Sequence, residues 1–245
     1  MQKFIILLLL FLSSSAFSAK KDSIVERIFN EIYNQHYSQA EKMLRSNQEN
    51  IDSVFFVVLS VDLSYWKNVT GTNTPDYQSF ENHIQDLSPI NPASTTHQAI
   101  RMVTLSYQLR YELKRFKLMK AISTRQETKE LFTSFKTNVK LPPEQLELFQ
   151  LYSALFKYFD NYLKPFFISR KKENCSAALA TMTRLFQSEN RISKTLVAYF
   201  LGKTWLKYEN EPIKAYPYFV WLNKNYPDNQ KFYDLLQTCN NQLNQ

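Results

Sequence analysis

Two glycines, Gly71 and Gly202, are all that this 245-residue chain contains, and that scarcity restricts its fold more than any other feature. Phosphate-cradling loops and dinucleotide-binding turns need several glycines close together, so neither can be built here. Tight β-hairpins favour Asn-Gly or Asp-Gly, and neither pair occurs. A chain rich in Leu, Lys, Gln and Glu with so little glycine favours helices from end to end.

The apolar pattern agrees. Ser23-x-x-Glu26 has the form of a capping box, and Ile24, Ile28 and Ile32 follow at four-residue steps. Ser38-x-x-Glu41 offers a second box for the next helix. Ile51 to Trp66 is almost unbroken apolar sequence; sixteen residues are long for a strand, so it reads as a buried helix. Thr74 and Pro75 suit a cap and first turn. From Ala93 a long helical stretch runs to about Lys120 and, after a break near Ser123, to Asn138. Met102, Leu105, Leu109, Leu113 and Phe116 form its expected packing seam. Pro142-Pro143 separates an N-terminal helical region (19–140) from a C-terminal one (141–245). Helices are expected there at 144–162, 174–188, 191–208, 213–225 and 228–242.

Residues 1–18 read as a signal peptide. Lys3 gives a basic start, Phe4–Leu12 is apolar, and small residues follow up to a cut before Ala19. Nine apolar residues make a helix of about 14 Å, too short for a hydrocarbon core of roughly 30 Å. The expected location is periplasmic or extracellular, with no transmembrane segment after cleavage. Net charge is +8, and removing Lys3 leaves +7. Such a chain suits a partner with an acidic surface, and export makes nucleic acid a poor candidate. Cys175 and Cys239 survive cleavage; in an oxidising compartment they could form one disulfide, against which counts their expected place on helices separated by another hairpin, and their spacing is not that of a metal site.

Residues 191–227 resemble a tetratricopeptide repeat. Ala198, Leu201, Gly202 and Trp205 fill the first helix at the family spacing. Ala215, Phe219, Leu222 and Pro227 fill the second, each one residue late, as if the turn near Asn210 held an insertion. Small residues at Gly202 and Ala215 let two helices cross closely, with Trp205 and Phe219 filling the space beside them. The order of the remaining helices is similar to uncharacterised bacterial exported proteins of this kind. The resemblance implies antiparallel helical hairpins stacked as an α-solenoid, a terminal capping helix, and no particular activity.

No catalytic, metal or cofactor set stands out. His36, His83 and His97 are far apart and near helix ends or polar faces. No Glu sits in the apolar setting that glycan cleavage needs. Arg110, Lys114 and Lys117 step by four and three, which places them on one helix stripe able to meet acidic side chains or headgroups. The expectation is a non-catalytic exported helical-repeat protein that binds another protein. The rival is a helical enzyme or small-ligand carrier with an enclosed pocket.

Overall fold

A computed structural model describes residues 23–244, apart from residues 72, 89–93, 136–140, 163, 166 and 168. The expected signal peptide lies outside the described residues. Those residues form eleven α-helices and no strand: α1 (Ile24–Tyr33), α2 (Tyr37–Ser46), α3 (Ser53–Tyr65), α4 (Tyr77–Leu87), α5 (Thr95–Lys114), α6 (Leu118–Phe135), α7 (Pro143–Tyr162), α8 (Lys171–Leu185), α9 (Arg191–Lys207), α10 (Pro212–Asn225) and α11 (Gln230–Leu243). None is long and apolar enough to cross a membrane.

Side-chain caps set most of the starts. The Ser23–Glu26 capping box forms in full at α1. Asp52, Asp76, Ser94, Asn190 and Asn229 each accept a backbone N–H of the first turn. Two helices start differently from expectation. Helix α2 begins at Tyr37, inside which Ser38 is an ordinary helical residue. Helix α4 begins at Tyr77 because Asp76, rather than Thr74, reaches the Ser79 N–H at 3.0 Å.

The long helix is broken earlier than its sequence suggests. Helix α5 stops at Lys114 in a Schellman turn: the Phe116 N–H donates to the Leu113 carbonyl and the Lys117 N–H to the Glu112 carbonyl. Phe116 stands at the left-handed position with φ 55°, where glycine is usual. The inward face of α5 near this end is Tyr107 and Tyr111. The expected seam runs outward instead: Leu105 is buried, Leu113 is 41% exposed and Phe116 84% exposed.

Neighbouring helices pack in sequence as hairpins, with one continuous apolar core running from Ile28 to Cys239. Helix α9 is its axis, in contact with α1, α7, α8 and α10. Both glycines mark close approaches. A Cβ on Gly202 would lie 2.9 Å from the Phe219 ring, and one on Gly71 would lie 2.8 Å from the Trp66 carbonyl oxygen. The first and last helices also meet. Asn229 Nδ2 donates to the Tyr33 carbonyl at 2.6 Å, and Phe232 packs against Tyr33, Trp66 and Tyr199. Trp66 is fully buried at this joint, whereas Trp205 is only half-buried under the Lys214 ammonium, 4.7 Å from its ring. Cys175 and Cys239 are both free thiols.

Candidate anion-binding groove

Helix α3 carries one acid in its apolar run. Asp62 is 1% exposed, and burial raises its carboxyl to about 6, against the opposing effects of the Tyr107 hydroxyl, Arg110 and the Tyr33 hydroxyl. Tyr107 from α5 and Tyr33 from α1 both donate to it, Tyr33 at 3.2 Å. The Tyr152 hydroxyl of α7 belongs to the same cluster and has no hydrogen-bond partner among the described residues. Four helices therefore converge on one buried carboxylate.

Arg110 lies above this cluster, one turn along α5 from Tyr107. Its guanidinium is held over three rings, Tyr65 at 4.6 Å, Tyr107 at 5.1 Å and Phe200 at 4.5 Å. Burial alone lowers an arginine's basicity; the phenol oxygens of Tyr65, Tyr107 and Tyr199, together with Asp62, outweigh it and keep the group charged. No described residue accepts from it, and the side chain keeps partial contact with solvent. A guanidinium fixed in this way is prepared for two-point recognition of an oxyanion.

Three lysines lie close by. Lys203 of α9 donates to the Tyr199 hydroxyl at 3.1 Å. Burial, then the nearby charges of Arg110 and Lys114, bring its ammonium down to about 8. Lys114 donates to the Val69 carbonyl at 2.8 Å, and Lys207 lies close enough to Tyr199 to act on its phenol. None of Arg110, Lys114, Lys203 and Lys207 is ion-paired with a described carboxylate. The result is a cluster of four cationic side chains from α5 and α9 set among aromatic rings, with the sealed Asp62 beneath them.

The expected stripe is thus divided. Arg110 and Lys114 belong to the cation cluster. Lys117 lies past the end of α5, and its ammonium pairs with Glu81 of α4 on another side of the helix. Residues of the expected repeat interlock as their sizes suggest: Ala198, Leu201, Ala215, Phe219 and Leu222 are fully buried, Gly202 is in the tight crossing, and Pro227 is an exposed turn residue. Sequence reading missed Asp62, Lys203 and Lys207. A single acid inside the run Val57-Val58-Leu59-Ser60-Val61-Asp62-Leu63 was the available signal for the first. The histidines stay apart: His36 bonds Glu31 at 2.8 Å, and His83 bonds the Ser60 carbonyl at 3.2 Å, with burial lowering its pKa. No family model matches the chain, and neither a curated protein nor a solved structure matches it.

Proposed function

We propose that this chain is a non-catalytic, exported binding protein of the cell envelope that holds an acidic segment of another protein against the α5–α9 cation cluster. The observation that carries the reading is the set of four cations with no ion-pair partner, one of them an arginine fixed on three rings. Stacked helical hairpins of tetratricopeptide type present concave surfaces suited to peptide segments. The interlocked α9–α10 hairpin supports that comparison. Asp62 argues against catalysis at this cluster, because the one perturbed carboxylate there is sealed from any substrate.

An acidic peptide such as oligoglutamate is the direct probe, followed by affinity capture from an envelope fraction. Binding should fade as salt rises, since exposed charges are screened beyond about 8 Å at physiological ionic strength. Changing Arg110, Lys114 and Lys203 together to Gln removes three of the four charges and should weaken binding by about tenfold or more, about 1.4 kcal/mol. Lys117→Gln should leave it unchanged, since that ammonium is already held by Glu81. Equal binding by the triple variant at low salt, with its circular dichroism intact, rules the reading out.

A small-ligand carrier is the second reading, and one feature favours it. A cleft of about 260 Å³ between α4, α5 and α6 is lined by Phe80, Ile84, Gln108, Glu112 and Lys120. Glu112 is buried; one oxygen accepts from Gln108 at 2.8 Å and the other has no partner among the described residues. Saturable binding of a small amine that Glu112→Gln abolishes would favour this reading over the first.

A further inference from the structure

We infer that the α5–α6 corner is a membrane-docking tip that inserts into an anionic lipid surface. Five large apolar side chains are exposed within ten residues: Leu113 (41%), Phe116 (84%), Leu118 (58%), Met119 (81%) and Ile122 (59%). Leu118 and Ile122 are one helical turn apart, as are Met119 and Ile122, so the α6 members form one face. That face is confined to the start of α6. Farther along, Gln126, Lys129, Glu130 and Thr133 occupy the outward positions.

The turn itself favours no internal explanation. Phe116 has the left-handed conformation for which glycine is preferred, at the position of a Schellman turn that fixes its side chain outward. A bulky aromatic there gains no packing within the chain. Contiguous exposed apolar residues on a folded protein mark a contact with something else.

Charge selects the occupant. From Leu113 to Gln126 the sequence holds five basic residues and no acid. Among the described residues, Lys117 pairs with Glu81, Arg125 pairs with Asp160 and Lys114 bonds the Val69 carbonyl, which leaves Arg115, braced on the Tyr77 ring at 4.1 Å, and Lys120 as the unpaired cations of the collar behind the tip. An apolar ridge with a basic collar matches the acyl boundary and headgroups of an anionic bilayer.

The test is co-flotation of the chain from Ala19 onward, which holds the whole apolar core, with vesicles of phosphatidylcholine alone or mixed with phosphatidylglycerol. Flotation is expected with the mixed vesicles, falling as salt rises and lower by about tenfold or more with phosphatidylcholine alone. The Phe116→Ser/Met119→Ser variant is expected to lose flotation while keeping its circular dichroism and melting temperature; Leu118→Ser/Ile122→Ser is the second such variant. Absence of flotation, or equal flotation by both variants, overturns the proposal. Equal binding to neutral vesicles overturns the anionic surface. A wild-type dimer that the first variant converts to monomer, without flotation, assigns the tip to a second copy of the chain and also overturns it.

Discussion

The hairpins α9–α10 and α5–α6 have the same connectivity and opposite fates. In α9, twelve of seventeen residues are buried; in α6, five of eighteen are. Their local patterns differ in part: α9 carries the unbroken apolar run Leu196–Leu201 and no acid, while α6 holds Glu127 and Glu130 among shorter apolar clusters. Position adds to the difference. Helix α9 has helices around it on several sides, so every apolar residue finds a neighbour. Helix α6 is at an edge, where α5 covers one face and Phe132 reaches the α7 rings of Phe149 and Phe156. Apolar residues at the free end of α6 therefore stay outside. Burial here follows both how many helices surround a segment and what the segment contains.

The largest effect that would sharpen this contrast is at the joint behind α9. Trp66→Ala should destabilise the chain by about 3–5 kcal/mol, the range for emptying a large buried aromatic site. Trp205→Ala, at a half-buried position, should cost less, about 1–3 kcal/mol. Urea denaturation of the two variants checks the order, and the reverse order would break the assignment of the joint.

The buried acid gives the next effect. Asp62 titrates near 6 in the fold against 3.8 ordinarily, so the folded state holds its proton more tightly than the unfolded chain does. Its contribution to stability is greatest below pH 3.8 and is lost as pH rises to about 6, a change of about 3 kcal/mol. Asp62→Asn removes that dependence. The stability of the variant relative to wild type should rise by about 3 kcal/mol between about pH 4 and about pH 7, read from paired denaturation curves. A constant difference would mean that the carboxylate is solvated.

The smallest pair tests the two hairpins directly. Gly202→Ala forces a methyl against the buried Phe219 ring and should cost about 1–3 kcal/mol. Met119→Ser should change stability by less than about 0.5 kcal/mol, because its side chain packs on nothing. Thermal melts that reversed this pair would undo the contrast between a sealed hairpin and an open one.

Helix content, the Ser23 box and the Gly202 crossing were legible because each depends on residues close in sequence or on size alone. The end of α5 was not. No glycine or proline marks residues 114–117, and the helix ends where the Lys117 backbone and ammonium turn toward Glu112 and Glu81. The candidate cation cluster was half legible. Arg110 and Lys114 share a helix face, which spacing reveals. Their juxtaposition with Lys203 and Lys207 comes from packing between helices about ninety residues apart, which no local period carries. Asp62 was present as an anomaly in an apolar run, but its partners are spread over α1, α5 and α7.

The Asn229–Tyr33 contact has a consequence for how the chain reaches its folded state. It closes a loop of 196 residues, so the N-terminal hairpin lacks part of its covering until the last helix exists. The cost of closing a loop grows only with the logarithm of its length, so the final stability suffers little. The rate is another matter, because contacts so distant in sequence form late and slow the approach to the native state. A chain interrupted before α11 leaves Tyr33 and Trp66 exposed, and such a fragment is a target for aggregation and proteolysis.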